Sequence, residues 1–374
     1  MQTLRIVHLT SVHSALDARI FKKECRSLAR AGFDVTLVGP HPIDTVEEKV
    51  RILSVKKHSS RIARMTRTVW EVFHVAKSLD ADVYHFHDPE LIPVALLLRK
   101  SGKSVVYDIH EDFPQDLLFK PYLPRWSRQL LSHFAEVLER AACRHFSGLV
   151  SVTPSIAARL QTVNQRTVIV CNYPFPEELI GTEAPDWESR GLSAAYVGTI
   201  TPQRGIAEMV RAMACLPDSL SATLEIAGDC IHEDITKLDG WARVRFHGAL
   251  DQPSTYHLLR SVRVGIVCEH PIPTFLEAMP VKLFEYMGAG LPVIASNFPL
   301  WRKTLSGIEC AVFVDPLNVN EIASALEYLL THANEAEEMG RRGQAAVIEE
   351  LNWNTQLPKL VGLYSELANN LCAG

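Results

Sequence analysis

Several features that would place this 374-residue chain in other protein classes are absent from it. The longest fully apolar runs, such as residues 94–98, are far shorter than the roughly 20 residues that a membrane-spanning helix needs. The eight cysteines are scattered, with neither a CxxC pair nor zinc-finger spacing, which favours core thiols in a reduced compartment. The first residues, "LRIVHLT", read as a strand, so we expect no cleavable leader. These absences predict a soluble cytoplasmic protein.

Two common nucleotide-binding motifs are also missing. A nicotinamide-binding domain would carry GxGxxG in its first strand-to-helix turn, but that turn is "TSVHSALDAR" and has no glycine. No GxxxxGK[ST] string for a P-loop occurs. The DxD-like string "DAD" at 80–82 precedes its strand, so it lies at the wrong end to hold a metal ion over a ligand. We therefore expect neither a cofactor nor a metal ion.

What the chain does contain is an alternation of short apolar runs and helical patterns, typical of parallel sheets covered by helices. The pattern is interrupted by "NYPFPEELIGTEAPDWESRG", which has no periodicity. The predicted fold class is α/β, with two doubly wound Rossmann-like domains facing a cleft. Ligands of such folds bind at the carboxyl ends of the strands, so that cleft is the expected active site. The predicted segments are a first domain, a linker, a second domain and a final helix that returns to the first domain, over residues 1–172, 173–192, 193–353 and 354–374.

Charge is divided unequally between the two halves. Residues 1–172 carry a balance of +7 and the remainder −12, which gives the total of −5. A basic half joined to an acidic half suggests that one half meets an anionic surface. Chance asymmetry between two solvated surfaces is the alternative. We expect no nucleic-acid partner.

The stretch "EAMPVKLFEYMGAG" (277–290) combines acids, a cation, a proline and two glycines. Pro280 predicts a helix start and the glycines its end. Free amides and the helix dipole form an anion site at such a start, where Lys282 is unfavourable unless an anion compensates it. Glu277 precedes the helix and Glu285 lies beyond its first turn, so we expect them to grip two parts of one extended ligand. A phosphate between two hydroxyl-rich groups describes a nucleotide-sugar.

The E-x7-E spacing in "EAMPVKLFE", followed by "YMGAGLPVIAS", resembles the donor-binding motif of retaining family-4 glycosyltransferases with the GT-B fold. "YVGTITPQRGI", "VVYDIHEDFP", "FVDP" and "NWN" resemble further segments of that family, in the same order. The resemblance spans nearly the whole chain and is strongest over 194–316. "DARIFKKE" is similar to a bacterial polysaccharide-assembly subgroup.

The resemblance implies roles for individual residues. His110 would orient the donor sugar or stabilise a cationic transition state, and Glu277 would hold sugar hydroxyls. Glu285 would bind the ribose, while Arg204 and Lys282 would meet the diphosphate. The remaining donor-side positions are Val281, Leu283 and Thr199, and those on the acceptor side are His13, Asp17 and Arg19.

Two departures from the family pattern and one open alternative accompany these roles. The family commonly has Gly-Arg where this chain has "GT", so Thr199 leaves one phosphate cation missing. The usual glycine-rich turn after the first strand is replaced by "SVHSALDARIFKKE". His110 could also be a packed loop histidine, and "HFHD" (His85, His87, Asp88) is interpreted as polar groups at a cleft rim, not a metal site.

The implied function is metal-independent transfer of a sugar from a nucleoside-diphosphate sugar, with UDP favoured, and with retention of anomeric configuration. The acceptor would be a glycan or a polyprenyl-diphosphate-linked molecule in bacterial surface polysaccharide synthesis. Same-face attack assisted by the leaving diphosphate is expected, because no second acid accompanies His110. A GT-B-fold sugar-nucleotide epimerase and a non-catalytic nucleotide-sugar-binding subunit remain alternatives.

Amphipathic patterns suggest where the basic half meets a membrane. "RIARMTRTVW" spaces Arg61, Arg64 and Arg67 three apart beside apolar residues, and "LLFKPYLPRWSR" mixes aromatic with basic side chains. Basic residues and aromatic rings both favour an anionic membrane surface. We therefore expect peripheral attachment at the inner face of the membrane. The alternative is that the aromatics pack on the domain's own sheet. The apolar side chains in these two stretches are Ile62, Met65, Val69 and Trp70, then Phe119, Tyr122, Leu123 and Trp126.

Overall fold

The computed structural model describes residues 3–58, 60–120, 123–180, 187–229 and 233–372, with side chains up to 369. The chain folds as two compact units. The first unit comprises residues 1–172 together with 354–374, and the second comprises residues 173–353. None of the described helices combines the length and the apolar composition that crossing a bilayer requires.

The first unit is built on an eight-stranded sheet of order β3-β4-β2-β1-β5-β6-β7-β8. Every described pairing in it is parallel except that of β3 with β4. The chain leaves β1 toward one edge and returns to β5 on its other side, so the carboxyl ends of β1 and β5 form the switch point where such sheets bind ligands. The strands are β1 (Arg5–Leu9), β2 (Asp34–Pro40), β3 (Thr45–Glu47), β4 (Val50–Val55), β5 (Val83–Phe86), β6 (Ser104–Ile109), β7 (Gly148–Ser151) and β8 (Thr167–Ile169).

Helices connect these strands, as the right-handed parallel crossovers require. The first is π-helical, over Ala18–Cys25, and it is capped by Asp17, whose carboxylate accepts from the N–H groups of Arg19 and Ile20. The other helices and helical turns of this unit are Arg26–Arg30, Arg61–Ala63, Arg64–Thr68, Val69–Leu79, Pro89–Leu91, Ile92–Lys100, Phe113–Leu117, Arg125–Cys143, Pro154–Gln161 and Trp353–Cys372.

The second unit contains a six-stranded, fully parallel sheet of order β11-β10-β9-β12-β13-β14. Its switch point lies between β9 and β12. The strands are β9 (Ser193–Val197), β10 (Thr223–Ala227), β11 (Val244–Phe246), β12 (Val264–Val267), β13 (Val293–Ser296) and β14 (Ala311–Val314). The helices and helical turns are Pro176–Ile180, Trp187–Ser189, Pro202–Arg204, Ile206–Ala214, Asp218–Leu220, Glu233–Thr236, Trp241–Arg243, Gln252–Ser261, Pro273–Leu276, Val281–Gly288, Pro299–Thr304, Val319–Thr331 and Ala333–Glu349. The predicted α/β class with two parallel-sheet domains is confirmed.

The described part of the segment interpreted as a linker belongs to the second unit. It contains the helix Pro176–Ile180, whose Leu179 is buried in the second core. A Cβ on Gly288 would lie 2.4 Å from Leu179 Cδ1, so this segment packs directly on the helix Val281–Gly288. The sequence shows no periodicity here because the described part forms only two short helical turns, Pro176–Ile180 and Trp187–Ser189, and residues 181–186 lie outside it.

The C-terminal helix, Trp353–Cys372, supplies core residues to the first unit from residue 354 onward. Apolar residues recur along one helical face of this segment at positions 357, 360, 361, 364, 367 and 371, and of these Leu360, Tyr364 and Leu367 are buried. Leu357 and Val361 are half-buried, and the side chain of Leu371 lies outside the described part. Leu363, which the pattern did not include, is also buried and approaches Gly148 of β7.

Truncation of this helix should therefore unfold the first unit. Removal of residues 354–374 is expected to yield insoluble protein, and Leu363→Ala should lower the free energy of unfolding by about 2–5 kcal/mol through the cavity it leaves. Chemical denaturation measures the loss. The exposed Glu366, on the same helix, is the matched control, and Glu366→Ala should change stability by less than about 0.5 kcal/mol. A truncated chain that remains folded would contradict this account.

Candidate functional site

The helix that carries the second glutamate of the E-x7-E pattern begins where the sequence predicts. Pro280 is its N-cap, and the helix runs over Val281–Gly288. The Val197 N–H donates to the Tyr286 hydroxyl at 2.8 Å, which fixes the helix against the carboxyl end of β9. The start of the helix thus lies at the edge of the sheet where a ligand is expected.

Two cations meet one buried carboxylate at this edge. Glu269 follows β12 and is only 1% exposed. Its Oε1 pairs with an Arg204 guanidinium nitrogen and lies 3.4 Å from Lys282 Nζ. Gly205 allows the turn that carries Arg204 to lie close to the chain just before Glu269. Its φ is +74°, and a Cβ there would lie 1.9 Å from the Cys268 carbonyl oxygen. The anion that compensates Lys282 is therefore supplied by the chain itself.

An aromatic ring lies beside each of the two cations. The Arg204 guanidinium lies 4.4 Å from the centre of the Phe275 ring, and Lys282 Nζ lies 4.6 Å from that of Tyr196. Lys282 Nζ also donates to the Tyr196 hydroxyl at 3.2 Å. Burial lowers the pKa of Lys282 to about 8, although the Glu269 charge acts to raise it. Lys282 thus remains largely protonated at neutral pH.

The other donor-side residues fall into two groups. Glu277 is exposed and ends the short helix Pro273–Leu276, whereas Glu285 is half-buried within the next helix. They lie on different elements, as the sequence predicts. Val281 is half-buried and Thr199 exposed, so both can be reached by a ligand. Leu283 differs: its side chain is buried in the core, and its N–H donates to the Pro280 carbonyl at 3.1 Å.

In the first unit, polar residues gather after β1, β5 and β6. His110 follows β6, and its Nε2 lies 3.0 Å from Asp108 Oδ2 and 3.1 Å from His87 Nδ1. His87 Nε2 lies 3.0 Å from His8 Nδ1. The row of imidazoles runs from the partly exposed His110 into the interior.

Most of these imidazoles are neutral at pH 7. Burial lowers the pKa of His87 to about 4, even though Asp108 acts to raise it. Burial likewise holds the pKa of His8 and that of His85 well below the ordinary value. A neutral imidazole has one donor and one acceptor nitrogen, so the row can orient His110 without adding charge.

Arg19 and Asp108 form a buried ion pair beneath His110. Arg19 Nε lies 3.1 Å from Asp108 Oδ2 and its NH2 lies 3.0 Å from Oδ1, while NH1 donates to the Val170 carbonyl at 3.2 Å. Burial alone would raise the pKa of Asp108, but the charges of Arg19 and His110 outweigh it and hold that pKa well below the usual range. Arg19 was expected to face an acceptor or a diphosphate. The structure differs, because its guanidinium is buried and occupied by the protein.

Asp17 and His13 lie closer to solvent. The Asp17 carboxylate caps the π-helix and lies 3.7 Å from His13 Nδ1. Burial opposes ionisation of Asp17, yet the hydrogen bonds from His13 and from the Ile20 and Arg19 N–H groups lower its pKa below the usual range. The hydrogen bond to Asp17 raises the pKa of His13, whose ring centre is 5.6 Å from that of His110. His13 is thus the acceptor-side residue that the structure brings next to His110.

Four buried side chains of the first unit could in principle share a metal ion. Glu24, His85, His87 and Asp108 offer ligand atoms within 4.8 Å of one another. Arg19 already lies against both carboxylates, with its Nε also 3.1 Å from Glu24 Oε1. A metal ion would have to share these carboxylates with a guanidinium, which disfavours it electrostatically.

The sequence predicts that the polar residues of "HFHD" lie at the rim of a cleft. In the structure, His85, His87 and Asp88 are all buried. Asp88 Oδ2 accepts from the Thr10 hydroxyl at 2.8 Å and from the Ser11 N–H at 2.6 Å. Polar groups can be buried at the end of a strand when neighbouring strands supply such partners. Pattern alone does not reveal those partners, because they come from the turn after β1, far away in sequence.

The sequence also missed residues that complete the two sites. Glu269 lay in the strand "VRVGIVCEH", where a lone acid after an apolar run was the available signal. Glu24 and Tyr364 lay inside helical patterns, and nothing in one sequence connects them to the histidines. Tyr196 was interpreted only as part of a strand.

Comparisons with known proteins point to the glycosyltransferases. Residues 18–172 match the model of the glycosyl transferase 4-like domain, and residues 184–346 match the model of glycosyl transferases group 1. A curated relative, the MMP alpha-(1→4)-mannosyltransferase of Mycolicibacterium hassiacum, is 23% identical over 308 residues, which cover 79% of this chain and 72% of that protein.

Solved structures share the fold of the whole chain. Sucrose-phosphate synthase from Thermosynechococcus elongatus superposes with a TM-score of 0.75 at 18% identity, covering 98% of this chain and 100% of that one. Anabaena HepE, solved with UDP and glucose, gives a TM-score of 0.73 at 13% identity, with 97% and 100% covered. HepE has also been solved with UDP-glucose.

Loss of the buried carboxylate should destabilise the first unit. Asp108→Asn leaves the Arg19 charge without its bidentate partner, and the free energy of unfolding should fall by about 3–5 kcal/mol at pH 7. Since the folded-state pKa of Asp108 lies below the unfolded one, the pair's contribution is present at neutral pH and is lost as pH falls through the folded value. Urea denaturation at pH 7 measures the effect. Asp80→Asn removes an exposed pair with Lys103 and should leave the unfolding midpoint nearly unchanged; equal losses in the two variants would contradict the assignment.

Proposed function

Because the chain belongs to the GT-B glycosyltransferases of the family-4 type, we propose that it transfers a hexose from a UDP-sugar to a glycan or polyprenyl-diphosphate-linked acceptor, with retention of configuration. The observation that carries the proposal is the Arg204–Lys282 pair at the switch point of the second sheet. Two cations beside a helix start suit the two phosphates of a nucleoside diphosphate. UDP and UDP-glucose in the HepE structures support the choice of UDP.

The leaving group determines what the cations do in this reaction. When the bond between the anomeric carbon and the diphosphate breaks, negative charge grows on the phosphate oxygens. Arg204 and Lys282 stabilise that charge, and the partially positive start of the helix Val281–Gly288 adds to it. Two side-chain cations thus supply the positive charge that a metal ion would otherwise bring to this step, and we propose that the reaction is metal-independent.

The sugar and the acceptor are assigned to the remaining polar residues. Glu277 accepts hydrogen bonds from sugar hydroxyls and Glu285 from the ribose. His110 contacts the sugar, with its ring oriented by Asp108 and His87. Asp108 is itself buried and bound in a fork by Arg19, which makes it a poor nucleophile. This supports same-face attack of the acceptor hydroxyl in place of a covalent glycosyl-enzyme.

His13 and Asp17 are assigned to the acceptor. The resemblance of "DARIFKKE" supports an acceptor that is incorporated into a bacterial surface polysaccharide.

The first test concerns the donor. Glu285→Ala should weaken UDP binding by about 1–3 kcal/mol, because the ribose hydroxyls lose their acceptor. Glu277→Ala should leave UDP binding unchanged and weaken only the binding of the complete UDP-sugar. Isothermal titration with UDP, UDP-glucose and other UDP-hexoses measures both and identifies the preferred sugar.

The matched control is Glu327→Ala, which removes an exposed carboxylate from another helix of the same unit. If the Glu277 and Glu285 variants bind like this control, the donor assignment is wrong. Turnover of the UDP-sugar without any acceptor would favour an epimerase instead of a transferase.

We also propose that the first unit attaches to an anionic membrane through the helix Arg125–Cys143. Trp126, Leu130 and Phe134 follow one another at four-residue spacing and are 81%, 67% and 59% exposed. Val137 and Leu138 extend the same exposed face. A helix that only covers a sheet would turn these side chains inward.

The inward side of that helix is partly polar, because Ser127 and Glu139 are buried there together with Ala142 and Cys143. Glu139 is buried, and its Oε2 lies 2.7 Å from Arg159 NH1. Four arginines, Arg125, Arg128, Arg140 and Arg144, lie on or beside the helix. A second copy of this chain would bring the same positive charge to the apolar face, whereas an anionic bilayer complements both the charge and the rings.

The stretch at 61–70 contributes less than its pattern suggests. Ile62, Met65 and Trp70 are exposed, but Val69 is buried in the core. Arg64 Nε lies 3.1 Å from Glu90 Oε1, so its charge is compensated. Of the second stretch, Phe119 and Trp126 are exposed, Leu123 is half-buried and Tyr122 lies outside the described residues.

Liposome co-sedimentation tests the membrane proposal. Binding to anionic vesicles should fall with rising salt, and the double change Leu130→Ser with Phe134→Ser should reduce it by about tenfold or more, since burying the two side chains stabilises the bound state by a few kcal/mol. Ile348→Ser removes an exposed apolar side chain of the second unit and should have no effect. Equal pelleting with neutral and anionic vesicles, or none with either, would remove the membrane from this account.

A further inference from the structure

Glu269 already occupies the two cations that the proposed function assigns to the donor diphosphate. Arg204 and Lys282 both address its Oε1, and neither the turn after β9 nor the helix Val281–Gly288 supplies this anion. The carboxylate is 1% exposed, and the adjoining carbonyl of Glu269 accepts from the Ser296 hydroxyl at 2.7 Å. Its position is therefore fixed by β12 and β13 of the sheet.

Each of the two cations lies beside an aromatic ring and beside the Glu269 carboxylate. Phe275 and Tyr196 hold them by their ring faces, and Glu269 holds them by charge. Without Glu269, two like charges would lie next to each other in a partly buried site, at considerable electrostatic cost. A buried carboxylate in this place offsets one of the two positive charges.

A bound diphosphate would stand next to the same carboxylate. Its oxygens need the N–H donors of Arg204 and Lys282, and like charges at such separations repel. We propose that Glu269 is the resident counter-ion of the diphosphate site, with which a nucleoside diphosphate competes for Arg204 and Lys282. The inference rests on the proposed function, since it takes these two residues as the diphosphate cations.

This competition has two consequences for the reaction cycle. The empty site binds stray anions weakly, because an incoming anion must supply enough charge to replace the pairing with Glu269. After transfer, the departing diphosphate is replaced by a partner that is already in place, which favours product release. Glu269 is thus a positioning residue that acts through Arg204 and Lys282, not on the sugar.

The test compares Glu269→Gln with the unaltered protein by isothermal titration at pH 6.5, where Lys282 is charged. UDP should bind about 3- to 10-fold more tightly to the variant, the range expected when one partly screened like charge is removed. Inorganic pyrophosphate, which has no base or ribose, should gain by a similar factor. Uridine, which has no phosphate, should change by less than about twofold. A merely structural loss would weaken all three probes together.

Glu225→Gln is the matched control. Glu225 is another buried glutamate of the second unit, and it pairs with His247 at 2.7 Å and with Arg245 at 3.5 Å. This variant should bind all three probes like the unaltered protein. Unchanged or weaker binding of UDP and pyrophosphate by a folded Glu269→Gln protein would overturn the counter-ion role.

A second measurement covers the case in which Glu269→Gln does not fold. In the unaltered protein, the side-chain carboxyl ¹³C resonance of Glu269, assigned through Glu269→Asp, should move on addition of UDP or pyrophosphate and stay in place with uridine. A resonance that ignores all three probes while UDP binds would equally overturn the proposal. Pyrophosphate binding without UDP binding would instead count against the nucleotide assignment and leave the Glu269 test intact.

Discussion

Burial of a carboxylate at the ligand-binding edge of a parallel sheet is the constraint on which both units depend. Asp108 in the first unit and Glu269 in the second lie at carboxyl ends of central strands, almost without exposure. An ionised carboxylate in such a place is costly unless a cation and hydrogen bonds compensate it. Arg19 does this for Asp108 and Arg204 for Glu269. Each arginine lies in the segment that follows the first strand of its sheet, so the same solution appears twice in one chain.

The two ion pairs differ in how much of the arginine side chain a ligand can reach. Arg19 is buried, with its nitrogens bound to Asp108 and to the Val170 carbonyl, and so it holds the segment after β1 against β6. Arg204 is partly exposed and can exchange its partner. The Arg19–Asp108 pair therefore fixes the segments around His110, while the Arg204–Glu269 pair lies where a ligand can reach its arginine. The difference follows from exposure, not from residue type.

Much of the fold could be predicted from the sequence because its signals are local. The strand pattern, the helix start at Pro280 and the apolar face around Leu360 and Tyr364 depend on neighbouring residues, and the structure places them as expected. The identity of ion-pair partners is not local. Arg19 meets Asp108 across 89 positions and Arg204 meets Glu269 across 65, so a single sequence did not reveal that Arg19 turns inward. The exposed apolar face of Arg125–Cys143 was missed for the same reason, since burial depends on what a helix faces.

The return of residues 354–374 to the first unit sets an order for events on the ribosome. The first unit emerges early, but the Tyr364 ring that packs against His85 and the leucines that cover its core come only after the second unit has been made. At roughly 5–20 residues per second, that interval is on the order of 10–40 s. During it the nascent first unit exposes an apolar surface that only this later helix covers, whereas the second unit has all of its own segments as soon as residue 353 leaves the exit tunnel. The N-terminal unit is therefore the last to finish folding and the one with the greater need of chaperones.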